Sequence, residues 1–127
     1  MILIVANVLV LLTFVIHTLG GDRDYRSIEP EKNNPSKQEK WTMGRGAFHI
    51  VSADFLLASI GLTLLNFTEY FSDKKLLLTI LAVYFFAYGL AYLMTLIISR
   101  KFPNSFIKLW QWLLMFIISG LLYVGTT

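Results

Sequence analysis

A chain of 127 residues that is 56% hydrophobic and only 15% charged is too apolar to hide its side chains in one small aqueous core, so lipid enters as part of its solvent. The lack of cysteine excludes disulfides, thiolate metal sites and a cysteine nucleophile. A formal charge of +3 does not indicate nucleic acid as a partner, because Asp22, Asp24, Glu29, Glu31 and Glu39 interleave with the basic residues of the most polar stretch.

Crossing a hydrocarbon slab of about 30 Å takes roughly 20 apolar residues in a helix. Four runs meet that requirement, at about 1–19, 43–67, 76–99 and 107–124. The expectation is an all-α integral membrane four-helix bundle with antiparallel up-down connections, forming one transmembrane domain over 1–127. The first run carries no charge. It lacks a basic stretch ahead of the apolar one and a small-x-small cleavage site after it, so it is read as a helix rather than a secretory signal.

The connection 20–42 is expected to be an aqueous, cytoplasmic loop. It opens on Gly20-Gly21 with Asp22, Arg23 and Asp24 packed directly against the first helix, and its latter half, from Glu29 to Lys40, is rich in Pro, Asn, Ser and Lys.

The second helix holds the unusual residues. At about 100° per residue, Arg45, His49, Ser52, Ser59 and Thr63 share one arc of roughly 80°. Gly44, Ala47, Asp54, Ala58 and Gly61 gather on nearly the opposite side. Small residues let transmembrane backbones approach closely, so that second surface is expected at a helix seam with Asp54 inside it. An ionisable group at membrane depth is costly, and function is the default explanation for one.

The third helix, bracketed by Lys74-Lys75 and Arg100-Lys101, stacks Tyr84, Tyr88, Tyr92, Thr95 and Ser99 along one face. Hydroxyls removed from water seek partners, so this ladder is expected to face the polar stripe of the second helix. Pro103 and Asn104 read as the turn and start of the fourth helix. Trp41, Trp110 and Trp112 mark an interfacial belt.

Nine basic residues (Arg23, Arg26, Lys32, Lys37, Lys40, Arg45, Arg100, Lys101 and Lys108) fall on one side of this arrangement, and two, Lys74 and Lys75, on the other. The positive-inside rule then puts both termini outside, in a plasma or bacterial inner membrane.

His17, Asp22, Arg23, Arg45, His49, Asp54, Tyr84, Tyr88 and Tyr92 are the candidate ligand or proton-site residues. The spacing His-x4-Asp occurs at His17/Asp22 and at His49/Asp54, and it resembles that of lipid acyltransferases in spacing alone. Residues five apart on a helix point about 140° away from each other, which separates His49 from Asp54. His17, His49 and a carboxylate are an adequate ligand set for a metal, but no metal signature is present, and neither a metal nor a cofactor is expected.

Three functions remain open. One is a transport or channel-like bundle, oligomeric because one protomer hardly lines a pore. Another is an accessory or scaffold subunit of a larger membrane complex. The third is a lipid-headgroup-binding membrane enzyme, with arginines holding phosphate or carboxylate.

Overall fold

The computed structural model describes residues 1–99 and 104–127. The chain is helical, with no strand among the described residues. Its elements are α1 (Ile2–Val15), a π-helical stretch (Ile16–Gly21), α2 (Asp22–Ser27), α3 (Pro35–Phe67), α4 (Lys74–Ser99), α5 (Ser105–Lys108) and α6 (Gln111–Val124). Among the described residues, three spans are long and apolar enough to cross a membrane: Ile2–Ser27, which runs unbroken through the π-helical stretch, Pro35–Phe67 and Lys74–Ser99. Arg100, Lys101 and Pro103, expected at the third connection, lie outside the described residues.

Two compact units divide the chain. The first, Asn7–Thr63, is a helical hairpin. Its two arms are tied by side chains that step in opposite directions: Asn7 Nδ2 donates to Thr63 Oγ1 at 3.0 Å, His17 Nδ1 lies 3.0 Å from Ser52 Oγ, and His49 Nε2 lies 3.0 Å from Asp22 Oδ1. Rising numbers on one arm meet falling numbers on the other, so the arms are antiparallel.

The expected loop at 20–42 is corrected here. The first helix continues to Ser27 and α3 starts at Pro35, leaving only 28–34 as the connection. Physical reasons exist at both ends. Gly20 and Gly21 keep helical backbone angles through the π-helical turn, with Gly21 at φ −66° and ψ −37°. At the far end Asn34 Oδ1 accepts the Lys37 amide at 3.1 Å, a side-chain cap, and Pro35 occupies the first helical position, where its missing N–H costs nothing. The connection is itself tied down, with Asn34 N donating to Glu31 O at 3.2 Å and Gln38 Nε2 to Pro30 O at 3.5 Å.

The second unit joins Met1–Ala6 to Leu64–Thr127. The first turn of α1 meets the end of α3 through Asn66 Nδ2, which donates to Leu3 O at 3.2 Å. Asp73 caps α4 by accepting the Leu76 amide at 2.9 Å. α4 and α6 pack together, burying Leu78, Ala82, Phe85 and Leu96 with Met115, Ile118 and Leu122. Buried Ser119 ties the pair by donating to Ala82 O at 2.7 Å. Gly89 leaves room for the Phe116 ring, where an added Cβ would lie 2.8 Å from Cε1.

The run expected as one helix over 107–124 is two. Asn104 adopts the left-handed conformation (φ 60°, ψ 27°) that asparagine tolerates, and α5 ends at Lys108, because the next residue, Leu109, leaves the helical region at φ −115° and ψ 60°. α6 then has 14 residues, or about 21 Å.

Candidate functional site

One end of the hairpin gathers most of the ionisable candidates. Asp22 opens α2 and is buried, its side chain 10% exposed. Arg45 of α3 grips it at both carboxylate oxygens: Nε donates to Oδ1 at 2.8 Å and one terminal nitrogen donates to Oδ2 at 3.2 Å. His49, one turn further along α3, reaches Oδ1 at 3.0 Å. Arg26, one turn along α2, lies 3.0 Å from Oδ2. An ionised carboxylate only accepts, so the His49 contact requires the proton on Nε2. The arrangement is therefore one buried anion held by three basic side chains from two helices.

Aromatic packing fixes these groups in place. Trp41 Nε1 donates to the Tyr25 carbonyl at 3.1 Å, tying α3 to α2, and the Arg45 guanidinium lies 5.3 Å from the centroid of the Trp41 ring. One α-helical turn past Arg45, the Phe48 ring stacks on His17 at 3.8 Å, the two planes 9° apart. The edge of Phe48 points at Gly21, where an added Cβ would lie 2.5 Å from Cζ. Gly44 makes the same allowance for the Tyr25 hydroxyl. Beneath this aromatic layer His17 Nδ1 meets Ser52 Oγ, and the Phe55 and His17 rings lie nearly perpendicular with their centroids 5.4 Å apart.

The predicted stripe of α3 thus finds its partners on the antiparallel arm. Thr63 meets Asn7, Ser52 meets His17, and His49 and Arg45 meet Asp22. The two His-x4-Asp spacings exchange partners, since the histidine of the second pairs with the aspartate of the first. Asp54 stands about 140° around α3 from His49 and is partly exposed. Arg23 is exposed on α2. No group of three or more His, Asp or Glu among the described residues is arranged to hold a metal ion.

The tyrosine ladder belongs to the other unit. Tyr84 and Tyr88 share a hydroxyl hydrogen bond of 2.8 Å, Tyr92 donates to Gln111 Oε1 at 3.5 Å, and Thr95 donates to its own helix at Ala91 O. Within this unit, Tyr84 and Tyr88 therefore pair with each other and Tyr92 with α6.

No protein family, curated protein or solved structure matches this chain. The functional reading accordingly rests on its own residues. Sequence reasoning missed the Phe48/Gly21 and Tyr25/Gly44 contacts, whose signal was present: two glycines, each opposite an aromatic once the hairpin closes.

Proposed function

We propose that this chain is a small multi-pass membrane protein acting as an accessory or scaffold subunit of a membrane assembly, with α6 completing a four-helix antiparallel bundle and both termini outside. The observation that carries this reading is the closed state of the Asp22 cluster. The Asp22 carboxylate, suited by its burial to carry a proton, is instead committed to Arg45 and His49 across the hairpin and to Arg26 one turn along α2. A buried carboxylate filled by Arg45, His49 and Arg26 is a latch that holds a hairpin in shape. The nine-to-two division of basic residues supports the orientation.

The test is purification of the tagged chain from its own membranes in a mild detergent, followed by native mass spectrometry. A second chain at fixed stoichiometry, retained by the wild type and lost in Asp22→Ala while the variant still inserts, is the expected result. A lone chain or symmetric homo-oligomer that moves protons or solute in proteoliposomes would replace this reading with transport.

A further inference from the structure

The latch has an outer side. Asp22 is buried, but the cations around it are not: the Arg26 side chain is 59% exposed, His49 44% and Arg45 32%. Each guanidinium carries five N–H donors. Asp22 takes two from Arg45 and touches one nitrogen of Arg26, leaving the other donors on the exposed side. Arg23 is exposed three residues before Arg26 on α2, the spacing that makes neighbours on a helix surface.

The Arg45 donors are also held still. Arg45 is fixed by both oxygens of Asp22 and by the face of Trp41, which is anchored in turn to the Tyr25 carbonyl. Donors fixed in advance lose little entropy when an anion binds, and guanidinium is suited to forked contact with phosphate. Exposed Asp24 and Glu29 flank the cluster and disfavour a diffuse anion cloud, so recognition rests on directed hydrogen bonds. Trp41 and Tyr25 beside the cluster are residue types that favour the headgroup layer.

We propose that Arg26 and Arg45, held on the Asp22 carboxylate, and Arg23 beside Arg26 on the surface of α2 form a binding site for a phosphate group. Two sources supply that chemistry: an anionic phospholipid headgroup, or free phosphate in the adjoining water. The site goes beyond the subunit reading, because it is complete in one isolated chain.

The experiment is calorimetric titration of the full chain in non-ionic detergent with dioctanoyl phosphatidylglycerol, dioctanoyl phosphatidylcholine and inorganic phosphate. Saturable phosphatidylglycerol binding is expected, weakened about tenfold or more in Arg23→Gln/Arg26→Gln, the scale of one lost charge-assisted hydrogen bond. Lys75→Gln, which removes one charge from the start of α4, should leave it unchanged. Tighter binding of phosphatidylglycerol than of inorganic phosphate assigns the lipid source, whereas inorganic phosphate binding as tightly, with the same loss in the double variant, assigns the free anion. If the double variant fails to fold, Arg23→Gln alone, which keeps the Asp22 ion pairs, carries the comparison. Phosphatidylcholine binding as well as phosphatidylglycerol, no saturable binding of either anion, or equal loss in Lys75→Gln would overturn the proposal.

Discussion

Gly20 and Gly21 are adjacent, share the π-helical stretch, and should respond to alanine in opposite directions. At Gly20 an added Cβ meets nothing within 4 Å, so the substitution gains only the helix preference of alanine over glycine, up to about 1 kcal/mol. At Gly21 the same methyl group would sit 2.5 Å from Phe48 Cζ, whereas carbon atoms rest at about 3.5–4.0 Å. The ring must retreat by roughly 1 Å, yet its face is stacked on His17 at 3.8 Å, and sliding away costs that contact. Overpacking of this kind costs about 1–3 kcal/mol. Because the helix-preference gain is common to both sites, it cancels in the comparison, and the two variants should differ in stability by about 1–3 kcal/mol. Unfolding of the full chain in one detergent, by heat or denaturant, measures the difference. Phe48→Leu should relieve much of the Gly21→Ala defect, giving a non-additive double variant. Equal stability of Gly20→Ala and Gly21→Ala would refute the close approach of Phe48 and the hairpin packing inferred from it.

A second pair of glycines repeats the test on α3: Gly44→Ala, opposed by the Tyr25 hydroxyl, should destabilise relative to Gly46→Ala, which meets open space. Ser119→Ala should lower stability by about 0.6 kcal/mol, the average for a side-chain hydrogen bond in a membrane protein, because its buried donation to Ala82 O is lost; no change in unfolding would show that the bond contributes nothing. Asp22→Asn should lower the thermal midpoint more than Arg26→Gln, since the carboxylate serves three basic partners and Arg26 is the most exposed of them. The reverse order would argue against Asp22 as the centre of the latch. Cysteines at Ser36 and Asn104 should be protected from impermeant thiol reagents in intact cells while one at Thr127 is labelled, and the opposite pattern would invert the proposed orientation.

The apolar runs and the polar arc of α3 were legible because both are periodic. Arg45, His49, Ser52 and Thr63 fall on one face by arithmetic alone, and they all pair across the same hairpin. What periodicity does not reveal is which helix supplies the partners. The tyrosines of α4 and the polar residues of the first arm were equally eligible, and the antiparallel registration, visible as Asn7 with Thr63 and His17 with Ser52, shows that the first arm supplies partners to Arg45, His49, Ser52 and Thr63. The polar composition of 20–42 hid two helices for different reasons. Gly20-Gly21 reads as a helix stop when the helix in fact runs through it, with Gly21 giving clearance for Phe48, and Asn34-Pro35 carried a helix-start signal obscured by the charged residues around it. Asp22 was legible as a polar neighbour of the first helix, but its burial under Arg45 depends on α2 continuing that helix instead of leaving it.

The six residues wound as a π-helix between α1 and α2 also set an angular phase. Hydrogen bonding to the fifth residue instead of the fourth accommodates extra chain within the turn, so the direction in which Asp22 leaves the helix depends on how these six residues are wound as well as on what they are. Rewinding the same six residues as ordinary α-helix would turn everything beyond them by about 100° and swing Asp22 off the face that meets Arg45 and His49. Substitutions at the exposed positions 16, 19 and 20 leave that phase intact. The wide winding, more than the identity of the residues in it, is what this part of the chain must keep.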